Sequence, residues 1–274
     1  MTSEGVISCS ARGKIRTLGD IFVGDYVEIS LYKNNRGAIE KVLPRKNKLT
    51  RPYVTNIDAI VICIAIKPKP DFYLVDKLLI NCLKQNITPI LCVNKLDIMD
   101  DDFKKVVIEN YHDLAEIYFV SSYTKQGIDK LADRLKGLYV SMAGQSAVGK
   151  SSIINAIIGT NMLEVGELSR KVERGRHTTR SVEIYDLGNG IRLADTCGFS
   201  VLELTDFDPT ELASYYTDFD DFRVCCKYRG CLHINEPDCA VKKAVEEGNL
   251  SRDRYDRYLE LYKDLQEKWR KRYE

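Results

Sequence analysis

One stretch of the sequence has the residue types and spacing of a loop that binds nucleotide phosphates. Residues 144–151 read Gly-Gln-Ser-Ala-Val-Gly-Lys-Ser and satisfy the pattern G-x-x-x-x-G-K-[ST] at every fixed position. The apolar run at 138–143 predicts a strand before the loop, and the spacing at 152–158 predicts a helix after it, which is the context that this motif requires. The alternative is a glycine-containing turn that binds nothing.

Each residue of such a loop has a distinct task. The glycines allow backbone N–H groups to turn toward the phosphates, and the helix adds the positive end of its dipole. Lys150 would reach the β- and γ-phosphates and act catalytically as a point charge, whereas the Ser151 hydroxyl would bind Mg²⁺. The residues predicted to contact the nucleotide here are Gly144, Gln145, Ser146, Ala147, Val148, Gly149, Lys150, Ser151 and Ser152.

A second motif, Asn94-Lys95-Leu96-Asp97, directly follows a predicted strand at 88–93. The ionised carboxylate of Asp97 would accept hydrogen bonds from N1–H and the exocyclic amino group of guanine, a donor pair that adenine lacks. Asn94 would bridge loop and base, and the stem of Lys95 would cover the ring. Ser121 and Ser122, after a predicted strand at 116–120, would offer a backbone N–H to guanine O6. The pattern is short and weak alone, but beside a phosphate loop it indicates a GTP site.

The third motif, Asp195-Thr196-Cys197-Gly198, ends a predicted strand at 191–194. Asp195 would reach Mg²⁺ through water, and the N–H of Gly198 would meet the γ-phosphate, although an ordinary turn has the same pattern. The polar segment 174–180 contains His177, Thr178 and Thr179. We interpret it as a mobile loop in which one of the threonines binds Mg²⁺ only while the γ-phosphate is present.

The order of these motifs differs from that of common GTPases, in which the phosphate loop comes first and the guanine-reading motif last. Here the guanine motif at 94–97 precedes the phosphate loop at 144–151, and the switch threonines and Asp195 follow. The predicted fold is therefore a circularly permuted, doubly wound α/β domain with a mostly parallel sheet. Such a permutation is tolerated when the original termini lie close together.

Cysteine and histidine cluster near the C-terminus as Cys226-x4-Cys231-x-His233-x5-Cys239. Three thiolates and one imidazole form a closed tetrahedral shell, which predicts one structural zinc ion rather than a catalytic metal. The alternative is four core residues that are close by coincidence. The neighbouring Cys225 could also replace Cys226 as the first ligand.

Composition limits what else the chain can be. Its 274 residues are 44% hydrophobic and 30% charged, with a formal net charge of +1. No apolar run is long enough to span a membrane, and the N-terminus lacks the basic and apolar regions of a signal peptide, so a cytoplasmic protein without a membrane partner is expected. Residues 1–53 carry ten basic against five acidic side chains, which favours contact with a polyanion, although an inert charged surface is the alternative.

Hydrophobic patterns divide the chain into three predicted domains. Residues 1–50 alternate short strands with glycine turns, which favours a β-barrel of the oligonucleotide-binding (OB) type, and 43–52 has the composition of a linker. Residues 51–205 form the α/β domain, with helices predicted at 71–85, 103–111 and 128–135 between strands that begin at 57, 88 and 116. Residues 206–274 form a helical zinc domain. Its last helix begins near Ser251 and carries an apolar stripe of Tyr255, Tyr258, Tyr262, Leu265 and Trp269.

With these motifs in this order, the chain resembles the RsgA/YjeQ family of circularly permuted GTPases that depend on the small ribosomal subunit. The resemblance runs from about Gly5 to the C-terminus. The residues that carry it are Ala11-Arg12-Gly13-Lys14, Val23-Gly24-Asp25, Leu43-Pro44-Arg45-Lys46-Asn47, Asn94-Lys95-Leu96-Asp97, Gly144-Gln145-Ser146, Gly175-Arg176-His177-Thr178-Thr179, Asp195-Thr196-Cys197-Gly198-Phe199, Cys231-Leu232-His233 and Glu236-Pro237.

The resemblance implies an OB-fold, a GTPase core that binds GTP or GDP with magnesium, and a zinc domain. It also implies a monomer that acts late in assembly of the small ribosomal subunit, with rRNA as the partner of the basic segments. The family spacing selects four zinc ligands, which are Cys226, Cys231, His233 and Cys239.

The chain departs from the family at three points. Ala147 stands where the family usually has glycine, Cys197 stands where it has proline, and the first strand of the barrel would precede Met1, so weaker RNA binding is expected. Phe199 also occupies the position of the glutamine that orients water in Ras-like enzymes. We therefore predict slow intrinsic hydrolysis that accelerates when the ribosomal subunit orders the switch loop and brings His177 toward the water, although a solvent-exposed loop histidine is the alternative.

Two other functions are compatible with the sequence. One is a GTP-gated RNA-binding module in which hydrolysis only resets the affinity, and the other is a P-loop ATPase or kinase that merely resembles a GTPase. GTP turnover that is stimulated by the ribosomal subunit distinguishes the GTP-gated RNA-binding module from an obligate catalyst of subunit maturation. Nucleotide preference after substitution of Asp97 distinguishes the second.

Overall fold

The computed structural model describes residues 5–11, 21–32, 35–50, 53–160, 183–195, 204 and 207–271. Its N-terminal part consists of short strands, which are β1 (Ser8–Ala11), β2 (Val27–Tyr32), β3 (Arg36–Val42), β4 (Lys48–Thr50) and β5 (Tyr53–Thr55). The first three form a sheet in the order β1-β3-β2, and the last two form a hairpin. A bridge between Val23 and Val54 connects the segment before β2 to this hairpin. The predicted β-rich N-terminus is present, and closure of these strands into an OB barrel stays a prediction.

The linker predicted at 43–52 is wrong, because its polar residues are used to build structure. Arg45 forms a bidentate pair with the buried carboxylate of Asp25, with Nε–Oδ1 at 2.7 Å and a second nitrogen 2.8 Å from Oδ2. The side chain of Asn47 brackets the backbone of Ile57, donating to its carbonyl at 2.7 Å and accepting from its N–H at 2.9 Å. Composition suggested a solvated connection, whereas Arg45 is bonded within the N-terminal part and Asn47 is bonded to Ile57, just before β6.

A six-stranded sheet forms the centre of the molecule. Its strands are β6 (Ala59–Ala65), β7 (Thr88–Asn94), β8 (Glu116–Phe119), β9 (Tyr139–Ala143), β10 (Glu183–Asp186) and β11 (Arg192–Asp195), in the order β10-β11-β9-β6-β7-β8. Every neighbouring pair is parallel except β10 and β11, which are antiparallel. All seven residues of β6 are buried, as expected for a central parallel strand that is covered on both faces.

Helices cover the two faces of this sheet. They are α1 (Phe72–Lys84), α2 (Asp101–Tyr111), α3 (Ile128–Leu135) and α4 (Lys150–Thr160). Residues of β6 alternate between the faces, so that Val61 and Cys63 pack with α3 and α4, whereas Ile60, Ile62 and Ile64 pack with α1 and α2. The mostly parallel, doubly wound α/β prediction is therefore confirmed.

The C-terminal part packs around its last helix. It contains α5 (Asp220–Arg223), α6 (Ala240–Glu246) and α7 (Arg252–Arg270), with 3₁₀ segments at Pro209–Tyr215 and Thr217–Phe219. Ser251 caps α7 as predicted, because its side chain accepts a hydrogen bond from the N–H of Arg254. Tyr255, Tyr258 and Leu265 of the predicted stripe are buried in one apolar cluster. No helix among the described residues could cross a lipid bilayer.

A buried ionic network attaches α7 to the α/β domain. The carboxylate of Asp76 on α1 is 1% exposed and accepts from Arg254 at 2.8 Å, Arg257 at 2.7 Å and the Tyr111 hydroxyl at 3.0 Å. Arg254 also donates to Asp218 at 2.8 Å. Burial alone would lower the pKa of Arg254, but the carboxylates of Asp76 and Asp218 outweigh it and raise the pKa. The arginine therefore stays charged in the interface.

Replacing Asp76 by alanine is expected to lower the free energy of unfolding by about 3–5 kcal/mol, because two arginines lose the carboxylate that compensates their burial. Trp269, the single tryptophan of the chain, lies on α7 and reports this unfolding by fluorescence in urea. Asp133→Ala is the matched control, since the exposed Asp133 carboxylate pairs with Lys136 on the surface and its loss should change stability by less than about 1 kcal/mol. Equal losses for the two variants would contradict the assigned role of Asp76.

Candidate nucleotide and metal sites

The predicted nucleotide-binding residues meet at one edge of the central sheet. Gly144 directly follows β9, Asn94 ends β7, Ser121 lies just beyond β8, and Asp195 ends β11. Strands β11, β9, β6, β7 and β8 are adjacent in this order, and each is parallel to the next. The carboxyl ends of all five therefore lie at the same edge of the sheet. Ligands of open α/β sheets bind at this edge.

Two glycines of the phosphate loop occupy positions that other residues cannot. Gly144 has φ +130°, and a Cβ there would overlap the carbonyl oxygen of Cys63 in β6. Gly149 has φ +98°, and a Cβ there would overlap Nδ2 of Asn94. Both the left-handed backbone and the close approach therefore require glycine. The loop leads directly into α4, which begins at Lys150.

The Lys150 ammonium lies within the curve of the loop. Its Nζ donates to the carbonyl oxygens of Gly144 at 2.8 Å and Gln145 at 2.7 Å. Burial lowers the pKa of Lys150, and the neighbouring Cys63 opposes this shift. Ser146, Ser151 and Ser152 are exposed, whereas Val148 is fully buried beneath the loop. The serines of the loop are thus accessible to a ligand, whereas Val148 anchors the loop in the core.

Asn94 joins the guanine motif to the phosphate loop. Its side chain is 1% exposed and donates to the carbonyl of Val148 at 2.9 Å and to the hydroxyl of Ser122 at 3.2 Å. Its Oδ1 accepts from the N–H of Ser122 at 3.0 Å. One amide therefore holds together three loops that are far apart in sequence. The two motifs lie on the same side of the sheet and touch.

Lys95 makes a second connection between the two motifs. It has φ +67°, and its Nζ donates to the carbonyls of Ala147 at 3.1 Å and Lys67 at 2.6 Å. Gln145 of the phosphate loop likewise contacts the segment before α1, accepting from the N–H of Asp71 at 2.9 Å and donating to the carbonyl of Lys69 at 3.3 Å. Residues 67–71 form a wall of the site that the motifs did not reveal, since they contribute backbone atoms.

Asp97 lies exposed on the short 3₁₀ helix Leu96–Ile98. Its Oδ1 accepts a hydrogen bond from the buried hydroxyl of Ser121, whose oxygen also accepts from the N–H of Thr124 at 3.0 Å. The backbone N–H groups of Ser121 and Ser122 donate to Gln126 and Asn94, respectively. In this arrangement Ser121 orients the Asp97 carboxylate. To donate to guanine O6, either backbone N–H would have to share its hydrogen with its present acceptor or leave that acceptor. The predicted contact with O6 stays a prediction.

Ala147 adopts a backbone conformation that favours glycine, with φ +64°. For an L-residue with a Cβ, this region costs about 1–2 kcal/mol. Alanine therefore replaces the glycine of the family pattern at a position where the backbone is strained. The Ala147 carbonyl nevertheless accepts a hydrogen bond from Lys95.

Ala147→Gly is expected to raise the free energy of unfolding by about 0.5–1 kcal/mol, since relief of the strain exceeds the entropy that glycine adds to the unfolded chain. Urea denaturation measures this gain. Ala156→Gly, in the buried middle of α4, should have the opposite sign and destabilise by about 1 kcal/mol. Destabilisation by both substitutions would show that Ala147 is not strained.

The remaining residues of the predicted site fall partly outside the described chain. Asp195 is the last residue of β11, and its neighbour Ala194 pairs with Ser141 of β9, so the backbone of Asp195 reaches the edge occupied by the phosphate loop. His177, Thr178, Thr179 and Gly198 lie outside the described residues. Their roles in catalysis and magnesium binding stay predictions.

The predicted metal ligands converge in the C-terminal part. The ligand atoms of Cys226, Cys231, His233 and Cys239 all lie within 4.8 Å of one another. His233 Nδ1 is 3.3 Å from the Cys239 sulfur and 3.6 Å from the Cys226 sulfur. Cys225 is exposed and is not part of this group, which favours Cys226 as the first ligand. The donor set and its spacing fit a metal ion such as zinc.

Residues around the cluster hold its loop in place. The Glu236 carboxylate accepts from the N–H groups of Leu232 and Ile234, both at 2.8 Å. The Tyr255 hydroxyl donates to the carbonyl of His233 at 2.6 Å, which connects the loop to α7. Burial lowers the pKa of His233, so its imidazole is neutral near pH 7, as metal binding requires.

Comparison with known proteins agrees with this geometry. A family model described as RsgA GTPase matches residues 42–205. The chain is 42% identical over 275 residues to the Small ribosomal subunit biogenesis GTPase RsgA of Caldanaerobacter subterraneus subsp. tengcongensis, covering 99% of this chain and 93% of that protein. The same protein from Thermotoga petrophila is 40% identical over 269 residues, covering 96% and 90%.

Two solved structures are similar along nearly the whole chain. The crystal structure of YjeQ from Thermotoga maritima superposes with a TM-score of 0.80 at 36% identity, covering 94% of this chain and 89% of that one. The crystal structure of YloQ, a circularly permuted GTPase, superposes with a TM-score of 0.77 at 32% identity, covering 96% and 87%.

Proposed function

This chain belongs to the RsgA GTPase family, so it is a GTPase that acts in biogenesis of the small ribosomal subunit, and we propose how its residues carry out that function. The observation that supports the proposal most directly is Asn94, whose side chain bonds the phosphate loop at 2.9 Å and the serine loop at 3.2 Å. A single GTP molecule can therefore reach the base-reading and phosphate-binding residues together.

We assign base recognition to Asp97. Its carboxylate, oriented by Ser121, accepts from N1–H and the exocyclic amino group of guanine. Adenine presents no such pair, so ATP would leave the acceptor without partners. The aliphatic stem of Lys95 covers one face of the base while its ammonium stays on the Ala147 carbonyl.

Phosphate binding belongs to residues 144–152. The loop N–H groups and the N-terminus of α4 surround the phosphates, and Lys150 exchanges its bonds to the Gly144 and Gln145 carbonyls for β- and γ-phosphate oxygens. When bound with the nucleotide, Mg²⁺ neutralises the developing phosphate charge. The Ser151 hydroxyl would hold it directly, and Asp195 would hold it through water.

Hydrolysis itself is proposed to be slow without a partner. The sequence has Phe199 after Gly198, where Ras-like enzymes have a glutamine that orients the attacking water. A phenylalanine side chain cannot orient this water. We propose that the small ribosomal subunit orders the loop of His177, Thr178 and Thr179, with one threonine on Mg²⁺ and His177 near the water.

In the C-terminal domain we propose a single zinc ion held by Cys226, Cys231, His233 and Cys239. Four protein ligands leave no open position, so the ion would stabilise the loop rather than take part in hydrolysis. The attachment of α7 to α1 through Asp76 holds this domain against the GTPase core.

The test is GTP turnover by the purified protein alone, with purified small ribosomal subunits, and with large subunits as the control. We expect small subunits, and not large ones, to raise the rate, and Lys150→Ala to abolish the stimulated rate. An unchanged rate with small subunits would reject the proposed activation.

A further inference from the structure

The segment 67–71, which precedes α1, is held by side chains from both nucleotide-binding motifs. The Lys95 ammonium of the guanine motif donates to the carbonyl of Lys67 at 2.6 Å. The Gln145 amide of the phosphate loop accepts from the N–H of Asp71 at 2.9 Å and donates to the carbonyl of Lys69 at 3.3 Å. All three bonds go to backbone atoms, so the placement of the segment and that of Lys95 and Gln145 depend on one another.

The same segment leads into α1, a helix of 13 residues that extends for about 20 Å at 1.5 Å per residue. The Asp71 carboxylate caps this helix by accepting from the N–H of Leu74 at 2.9 Å. One face of α1 packs against the sheet through Val75, Leu78, Leu79 and Cys82. A helix that is capped and packed in this way moves as a rigid unit, so a displacement of its side affects its start.

The opposite face of α1 is bound along its length by the C-terminal part. The α1 residues on this face recur every three or four positions and are Tyr73, Asp76, Ile80 and Lys84. The Tyr73 hydroxyl donates to Asp264 of α7. The Asp76 carboxylate accepts from Arg254 at 2.8 Å and from Arg257 at 2.7 Å. The helix that begins at the nucleotide site is therefore also the helix on which α7 docks.

Nucleotide binding would change the bonding of Gln145. The Lys150 ammonium donates to the Gln145 carbonyl at 2.7 Å. In the proposed function a bound nucleotide takes Lys150 away from this carbonyl, whereas the Gln145 side chain still holds the start of α1. Because one residue contacts both the lysine and the helix, a change at the phosphates acts on α1 as well.

We propose that α1 couples the nucleotide site to the C-terminal domain, with Tyr73 and Arg257 as positioning residues for nucleotide binding. Docked against α7, the helix holds the segment 67–71 where Lys95 and Gln145 can bind both this segment and the nucleotide. Loosening α7 therefore weakens the affinity for GDP and GTP, and by linkage a bound nucleotide tightens the docking of α7. The inference rests on the proposed function, because it assigns regulation of the same site to contacts of the C-terminal domain.

The test is equilibrium binding of fluorescently labelled GDP to the full chain loaded with zinc and magnesium. We expect Arg257→Ala to weaken the affinity by about 5-fold or more, the lower end of the usual coupling between two sites. Tyr73→Phe keeps the ring, the charge and the packing of α1 but removes the bond to Asp264. It should weaken the affinity by about 2- to 10-fold, the contribution of one hydrogen bond.

Each variant has a matched control that changes the same residue type. Arg252 of α7 pairs with Asp256 of the same helix, so Arg252→Ala leaves the contacts between α7 and α1 in place. The Tyr118 hydroxyl donates to Glu116 of its own strand, so Tyr118→Phe removes a bond between tyrosine and a carboxylate elsewhere in the fold. Both controls should bind GDP like the unchanged protein.

Hydrogen exchange measures the reciprocal effect. Saturating GDP should slow amide exchange along α7 in the unchanged protein, and it should do so less in Arg257→Ala. A purely structural Arg257 would lower the free energy of unfolding in urea but leave the affinity of the folded protein for GDP unchanged. That result in both variants, or equal exchange of α7 with and without GDP, would overturn the proposal. If small subunits still stimulate GTP turnover in that case, the proposed function stands without the coupling.

Discussion

Asp97→Asn is expected to abolish the preference for GTP over ATP, a loss of about ten-thousandfold in the ratio of affinities. A carboxylate accepts two hydrogen bonds from guanine, whereas an asparagine amide offers one acceptor and places an N–H donor opposite a guanine donor. The loss should fall on the base and not on the phosphates, because the Asp97 carboxylate is held by Ser121, and no hydrogen bond joins it to the phosphate loop among the described residues. Competition between GTP and ATP for the purified variant measures the ratio.

The matched control for this substitution is Asp102→Asn. Asp102 is exposed in the first turn of α2, a few residues beyond Asp97, and it has no part in the proposed site. It should retain the preference for GTP. If Asp97→Asn still prefers GTP over ATP, then the motif at 94–97 does not recognise the base, and the protein belongs to another class of nucleotide-binding proteins.

Removal of the proposed zinc ion is expected to unfold the C-terminal domain. Structural zinc contributes about 10–16 kcal/mol in small domains near pH 7, which exceeds the stability of a typical domain. The cluster also organises its surroundings, since the ring of Phe219 packs edge-on against His233 with centroids 5.9 Å apart, and Tyr255 holds the His233 carbonyl. Treatment with a strong chelator should release one zinc per chain, measured by elemental analysis, and expose the amides of α7 to hydrogen exchange.

Two serine variants sharpen this test. Cys231→Ser should lose most of its zinc during purification, whereas Cys225→Ser should keep it, because Cys225 is exposed and lies outside the cluster. Full protection of α7 after the metal has been removed would contradict a structural role. Loss of zinc from Cys225→Ser alone would contradict the ligand assignment.

The α/β core and the position of its site could be predicted because both depend on short, local patterns. Alternating runs of strand and helix residues identified each element from β6 to α4, and α3 has the predicted bounds, 128–135. The phosphate loop and the guanine motif each directly follow a strand, so a parallel sheet necessarily brings them to one edge. Their order along the chain was sufficient to infer circular permutation, which the similarity to YloQ supports.

Contacts between distant residues could not be predicted in the same way. Asp76 and Arg254 are 178 positions apart, and each looks like an ordinary charged residue of an amphipathic helix. The direct bond between Asn94 and Val148 spans 54 positions and depends on the close fit of Gly149 against the amide. The segment 43–52 resembled a linker because proline and polar residues are common in linkers, whereas Arg45 and Asn47 make specific contacts with partners elsewhere. Local composition carries no information on such partners.

The most direct test of a single site built from both motifs is the binding of xanthosine triphosphate to Asp97→Asn. Xanthine has a carbonyl oxygen in place of the guanine amino group, so the side-chain amide introduced at position 97 would donate to it while residues 144–151 hold the same triphosphate. We predict that this variant binds xanthosine triphosphate more tightly than GTP, whereas the unchanged protein has the opposite preference. If the variant binds both nucleotides equally, or still prefers GTP, then Asp97 and the phosphate loop do not act on the same nucleotide.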